Sequence, residues 1–310
     1  MHAAVLSSYD APPVYRDHPE PVATGDHEMV VEVLAAALHH LTRAKATGSH
    51  YSGTGALPLV PGADGVVRDP AGQLRYAVLD DTNAGTFADR TVIDARRSVV
   101  LPQDTDPVLV AAAMNPGMSS WIALRRRTSF TPGRRVLVIG ATGNAGRMAV
   151  QVAKLFGAGH VIAAGRDAAR LATLPALGAD QTCTLDRIEE AADVDVVLDY
   201  VWGEPAATAM IPLLSARTDR TAPLTWIQIG SMAGPTAPIP SVALRSARLQ
   251  IIGSGIGSVP ARDIIAELPE LAAAVAQGSI DVRARAVPLA DITQVWTAGT
   301  DDRIVLVPGR

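Results

Sequence analysis

The chain has 310 residues, 48% of them hydrophobic, with 27 Lys and Arg against 31 Asp and Glu for a formal net charge of −4. That length suits two domains, and the acidic balance offers no electrostatic grounds for a nucleic-acid partner. The single cysteine, Cys183, excludes an intrachain disulfide and points to a reducing, cytosolic setting. No continuous apolar run reaches the roughly 20 residues of a membrane span. Tyr9-Asp10 interrupts the N-terminus before a signal-like apolar core forms, so no membrane partner is expected.

The first third reads as β-rich. Ala3–Ser7 and Met29–Ala37 are strand-like, and Pro12, Pro13, Pro19 and Pro21 between them exclude a long helix. Pro58, Pro61, Gly62 and Gly65 suggest a tight turn between short strands within Leu57–Val67, and residues 86–101 read as a strand pair ending at Pro102. From Pro107 the texture changes. Val108–Met114 and Met118–Arg127 read as two helices. Strands at Arg135–Ile139, His160–Ala164, Gln181–Leu185, Asp193–Tyr200, Leu224–Ile229 and Leu249–Gly253 then alternate with helices at 145–156, 168–177, 204–215 and 241–247. Apolar strands alternating with helices indicate a parallel sheet covered on both faces. Ile264–Ala276 is a further helix, and Val282–Pro308 returns to β-like segments expected to pack on the first third.

The most informative stretch runs from Arg135 to Lys154, where a short apolar strand enters a turn with Gly140, Gly143 and Gly146 and an amphipathic helix leaves it. Such a turn lets the backbone approach a phosphate and packs the helix close to the sheet, while the free N–H groups of the helix start favour a pyrophosphate. The spacing is GxxGxxG rather than GxGxxG, so the strand–turn–helix context carries the reading. The next strand ends at Gly165-Arg166-Asp167, with Arg170 one turn on. An acidic residue there would hold the ribose 2′-hydroxyl of NAD. A small residue followed by arginine instead suits a 2′-phosphate, which favours NADPH. The competing reading makes Arg166 a solvated turn residue and gives Asp167 the ribose.

Together with Pro61-Gly62-Ala63-Asp64-Gly65, the run Ala111–Trp121, Leu177-Gly178-Ala179-Asp180, Asp195–Asp199, Ile227–Gly230 and Arg303–Pro308, these segments resemble the medium-chain dehydrogenase/reductase superfamily, in its zinc-independent quinone oxidoreductase branch. The resemblance implies an α/β fold: a Rossmann doubly wound parallel sheet inserted in a GroES-like β-rich substrate domain made from both chain ends. The implied domains are 1–107, 108–256 and 257–310. By resemblance, backbone at Thr142, Gly143, Asn144 and Ala145 holds the pyrophosphate. Gly230-Ser231 and Gly253-Ser254 line the nicotinamide, Asn115 and Ser119 approach it, and a homodimer forms through the sheet edge near Leu249–Gly253. The catalytic ligand positions of zinc-dependent relatives fall near His39, near Ala63-Asp64 and near Asn115. His39 is the one plausible ligand among them where a catalytic zinc needs three, so no metal is expected. This chain departs from the family in a shortened segment from Val66 to Phe87 and in carrying His39-His-Leu-Thr42 where relatives have Asn-Pro-x-Asp.

The chemistry so implied is hydride transfer from NADPH to a quinone, an enone or another small carbonyl acceptor. It needs alignment, exclusion of water and a means of handling charge or a proton on the acceptor oxygen. Tyr51 and His40 are the candidate catalytic residues, with His50, Arg43 and Asn115 beside them; each has an alternative as a packing or surface residue. An enoyl-thioester reductase and a non-catalytic NADPH-binding sensor or scaffold remain open. A hydrolase is disfavoured because no Gly-x-Ser-x-Gly elbow occurs.

Overall fold

The computed structural model describes residues 1–49, 56–79, 82–299 and 302–309. The chain forms two compact units. One comprises Met1–Asn115, Ile265–Gly278 and Val282–Arg310, and the other Pro116–Ile264 with Ser279–Asp281.

The first unit starts with an antiparallel pair, β1 (His2–Val5) and β2 (Val14–Asp17), and continues with β3 (Glu28–Ala37). In β3, Val31 and Val33 turn inward while Glu28 and Glu32 stay in solvent, the period of two that a half-covered strand requires. A short helix follows, α1 (His40–Ala46), then β4 (Asp64–Arg68), β5 (Leu74–Val78), β6 (Arg90–Asp94) and β7 (Ser98–Val100). Of the strands expected over Leu57–Val67 only β4 forms; Leu59 and Val60 make isolated bridges to Leu6 and Ala84. Helix α1 was not legible in the sequence, because it has seven residues and its cap is the His39 side chain, which accepts from Thr42 N, rather than a Ser, Thr, Asp or Asn.

The two helices expected on either side of Pro116 are one continuous helix, α2 (Pro107–Arg126). Proline removes one backbone donor, but buried neighbours on both sides, Val110–Met114 and Trp121–Leu124, hold the helix axis through it. By length and composition α2 is apolar enough to cross a membrane, contrary to the expectation that no segment is, and 67% of its most apolar stretch is buried inside the protein.

The second unit is a six-stranded parallel sheet. In chain order it contains β8 (Arg135–Ile139), α3 (Asn144–Leu155), β9 (His160–Gly165), α4 (Ala168–Leu171), β10 (Gln181–Thr184), β11 (Val196–Asp199), α5 (Gly203–Ser215), β12 (Leu224–Gln228) and β13 (Leu249–Gly253). Their spatial order is β10-β9-β8-β11-β12-β13, so the chain reverses direction across the sheet between β8 and β11. Ligands of open parallel sheets bind outside the strand carboxyl ends at such a switch point. Leu137, Ile139, Ile162, Val197 and Trp226 form one face of the core with Ala206, Met210 and Leu213 of α5. Two expected helices are cut short. The one at 168–177 ends at Leu171 and yields to a 3₁₀ turn from Pro175, whose missing N–H cannot continue it. Residues 241–247 form turns, a segment too short to nucleate without a capped start.

The chain closes with α6 (Ala261–Ala276), β14 (Ala284–Pro288), α7 (Ile292–Val295) and β15 (Arg303–Val307). In the first unit β14 and β15 join the main sheet, in the order β14-β15-β3-β4-β5-β7 with β6 also paired to β3. Both chain ends therefore build this unit's core, with Val31, Val33, Phe87, Ile292, Trp296, Ile304 and Leu306 in one cluster. A doubly wound parallel sheet between two portions of a β-rich unit is the architecture expected from the sequence.

Candidate functional site

The turn from β8 into α3 is shaped by two glycines for the fold and one for open space. Gly140 has φ +84, and a Cβ there would stand 3.1 Å from Val201 Cγ2 and 3.3 Å from Tyr200 Cβ. A Cβ on buried Gly146 would overlap the Gly140 carbonyl oxygen and lie 2.7 Å from Ala141 Cα, so helix and turn could not approach. Gly143 differs: its backbone is extended (φ −78, ψ 164), and a Cβ would meet only the Gly140 oxygen, at an ordinary 3.6 Å. Gly143 caps α3 without a side-chain bond, and no acid occupies the first turn. Among the described residues no protein acceptor takes the N–H groups of Asn144, Ala145 and Gly146. The turn thus presents unsatisfied donors and the positive end of a helix at the switch point, chemistry suited to an anionic diphosphate.

Next to it, β9 ends at buried Gly165, where a Cβ would crowd Thr142 Cγ2 at 3.1 Å. Arg166 is exposed and has no hydrogen-bond or ion-pair partner among the described residues. Asp167 caps α4, its Oδ1 accepting from Arg170 N at 3.1 Å, and its Oδ2 lies 3.6 Å from Arg170 Nε. The carboxylate in the competing position for a ribose is therefore engaged locally, while the arginine before it has no partner among the described residues.

Beyond β11 the chain turns sharply under a buried carboxylate. Asp199 Oδ1 accepts from Val201 N (2.8 Å) and Trp202 N (2.9 Å), and its Oδ2 accepts from Trp226 Nε1 (2.9 Å). Burial raises its pKa despite these three donors. The turn so held places Trp202 at φ 52, left-handed backbone unusual for a bulky residue. After β12 and β13, Ser231 is exposed, Gly230 O accepts from Gln228 Nε2 at 3.0 Å, and Ser254 is buried with its N–H donating to Gln228 O at 2.8 Å. Ser119, in α2, spends its proton on Pro116 O at 2.6 Å, so the 2.9 Å contact with Tyr200 is donated by the tyrosine. Burial pushes the Tyr200 hydroxyl up to about 12.

The first unit contains a separate buried polar cluster. His39 Nδ1 accepts from Thr42 N at 3.2 Å, which leaves the ring proton on Nε2, where it is donated to Asp64 Oδ2 at 3.0 Å. Asn115 Nδ2 donates to the same oxygen at 3.0 Å, and this fixes the amide so that its carbonyl oxygen points away from the carboxylate. His39 and Asp64 are both 2% exposed, and Asp64 Oδ1 has no partner among the described residues. Tyr76, fully buried on the neighbouring strand, also has an unpartnered hydroxyl, and burial with the Asp64 charge raises its pKa well above 10. His40, the first residue of α1, is exposed. Partial loss of hydration, then the charges of Arg303 and Arg43, lower its pKa below 6.5. Tyr51 and His50 lie outside the described residues.

The structure thus gathers Gly140, Thr142, Gly143, Asn144, Ala145, Gly146 and Gly165 about one turn, with Arg166 following β9. Sequence reasoning placed Asp64 only near a zinc-ligand position of relatives and Arg303 only at the head of a β-like segment, and gave Tyr76 no role. An acid between Ala63 and Gly65 at a strand start, and a lone arginine before the apolar run Ile304–Val307, were the available signals. Among the described residues no group of three His, Cys, Asp or Glu stands close enough to hold a metal ion.

The family described as zinc-binding dehydrogenase matches residues 145–276. A probable NADPH-dependent quinone reductase from Emericella nidulans is 29% identical, over 99% of this chain and 100% of its own. A quinone oxidoreductase from Thermus thermophilus, solved alone and with NADPH, superposes with a TM-score of 0.83 at 24% identity, over 99% of this chain and 100% of that one. A quinone oxidoreductase from Pseudomonas syringae pv. Tomato gives 0.81 at 21% identity with the same coverage.

Proposed function

We propose that this chain is a member of the medium-chain dehydrogenase/reductase superfamily, in its quinone oxidoreductase-like branch, and an NADPH-dependent, zinc-free reductase of quinones, enones or related small carbonyl acceptors. The observation that carries this reading is the β8–α3 turn, where N–H groups unsatisfied among the described residues surround the open face of Gly143, beside an arginine with no partner among those residues. In this reading Thr142, Gly143, Asn144 and Ala145 hold the diphosphate, with Gly140 and Gly146 shaping the turn. Gly165, Arg166 and Arg170 receive the ribose 2′-phosphate. Asn115, Ser119, Gly230, Ser231, Gly253 and Ser254 surround the nicotinamide.

Bound NADPH would supply the hydride. The chain's part is to fix the dinucleotide, exclude water and deal with negative charge on the acceptor oxygen. His40, whose pKa is lowered by partial desolvation and then by the charges of Arg303 and Arg43, is available to hold or relay a proton to that oxygen. Tyr51 is the second candidate for this role. Freedom from zinc is supported by the His39 Nδ1 lone pair accepting from Thr42 N and by Asp64 Oδ2 accepting from both His39 and Asn115. A cytosolic homodimer, with neither membrane nor nucleic acid as partner, completes the proposal. The single buried thiol and the acidic balance support the location, and the exposed edge position of β13 supports the dimer.

Calorimetric titration with NADPH and NADH in parallel, on the wild type and on Arg166→Ala, tests the cofactor assignment. NADPH is expected to bind more tightly, and Arg166→Ala to weaken it by about 10- to 100-fold while leaving NADH unaffected, the effect of one lost charge-assisted contact. Equal binding of both cofactors by the wild type would refute the 2′-phosphate site.

A further inference from the structure

Among the described residues one non-glycine residue has a positive φ: Trp202, at φ 52 and ψ −159. That region is almost confined to glycine, because a Cβ there crowds the backbone. A bulky residue keeps such a conformation only where its surroundings fix it. Here they do. The N–H groups of Val201 and Trp202 donate to Asp199 Oδ1 at 2.8 and 2.9 Å, and Val201 O accepts from Ala233 N at 2.9 Å. Next in the chain, Gly203 has φ 66, and a Cβ there would stand 3.0 Å from the Ala233 carbonyl. At 201 and 202 these contacts are all made by backbone atoms. A glycine at 202 would make them without strain, so the turn does not explain the indole.

Core packing explains only part of it. Val201 and Trp202 lie at the margin of the core that Ile139, Val197, Met210 and Trp226 build, and Trp202 is half-buried where Trp226 is fully buried. Trp202 therefore keeps open surface at the carboxyl end of β11. In the sheet β11 is next to β8, and β8 is next to β9. A Cβ on Gly140 would stand 3.1 Å from Val201 Cγ2, so the segment after β11 touches the glycine turn after β8. In the function proposed above, the residues following β9 receive the ribose 2′-phosphate and the turn following β8 holds the diphosphate. A dinucleotide laid across the strand ends in that direction reaches β11 with its nicotinamide riboside.

We propose that Trp202 is a cofactor-contacting residue, its indole an aromatic wall against the nicotinamide riboside half of NADPH, and that the strained backbone is kept because it aims the ring there. This assignment rests on the NADPH reading, which supplies its ligand.

The test is calorimetric titration of the full chain with NADPH and with adenosine 2′,5′-bisphosphate, which lacks the nicotinamide riboside. Trp202→Gly is expected to bind NADPH about tenfold more weakly than the wild type, the worth of one stacking contact, and to bind the bisphosphate equally well. Its thermal midpoint should stay near the wild-type value, because released strain offsets lost packing. Trp202→Phe, which keeps a ring, is expected to retain most of the NADPH affinity. Should Trp202→Gly fail to fold, Trp202→Leu, which keeps apolar bulk without an aromatic face, is expected to show the same selective loss. Unchanged NADPH affinity in whichever variant folds, or an equal loss for both nucleotides, would overturn the assignment and leave the NADPH reading standing. Failure of the wild type to bind either nucleotide would refute that reading, and the assignment with it.

Discussion

Each unit buries one carboxylate, and the two are treated differently. In the parallel-sheet unit, Asp199 uses both oxygens on three N–H donors, two of them from the next three residues of the chain. Its task is local: it holds a sharp turn, including the left-handed Trp202, at the mouth of the sheet. In the first unit, Asp64 loads one oxygen with donors from residues 25 and 51 positions away, and its other oxygen has no partner among the described residues. A carboxylate satisfied by neighbouring backbone is scaffold. One held by distant side chains, with an oxygen that has no partner among the described residues, keeps polar capacity unused.

Removing each carboxylate sharpens this contrast. Asp199→Ala orphans three N–H groups and is expected to cost about 4 kcal/mol of unfolding free energy, read by urea denaturation. Asp64→Ala removes two hydrogen bonds from an already incomplete site and should cost about 2–3 kcal/mol. A larger loss at Asp64 than at Asp199 would break the comparison. Kinetics provide the next test. Burial, aided by the charges of Glu190 and Glu189, pushes the Cys183 thiol up to about 11. Iodoacetamide should therefore leave it unmodified at neutral pH and label it only at the rate of unfolding. Fast labelling of the folded protein would show that the core face of the parallel sheet opens. The smallest effect concerns His40. Its folded pKa lies below that of the unfolded chain, so the unfolded state binds more protons between the two values. Stability should fall as pH drops from about 6.5 through the folded value, and His40→Gln should flatten that slope.

The legible parts of the molecule are those written in adjacent residues. The glycine turn, the Gly165-Arg166 end of β9 and the apolar strands of the parallel sheet each declare themselves within about a dozen positions, because backbone geometry and periodicity are local. The first unit's cluster is not of that kind. His39, Asp64, Asn115 and Arg303 meet only because β3, β4, α2 and β15 are brought together from both chain ends. No spacing encodes that meeting. Pro116 misled in the opposite sense: proline is a local stop signal, and packing along α2 overrode it. The same gap explains why Arg43 and His40 were candidates individually while Arg303 was read only as the head of a β-like segment.

In the function we propose, the β8–α3 turn is open at Gly143 because a cofactor diphosphate lies against it. Gly143→Ala tests it most directly, since the added Cβ meets no protein atom closer than 3.6 Å and the backbone there suits alanine. The variant should keep the wild-type thermal midpoint and lose NADPH affinity by about tenfold or more, a methyl group having taken the ligand's place. Unchanged affinity in a stably folded Gly143→Ala protein would mean that nothing lies against this turn, and would contradict the claim.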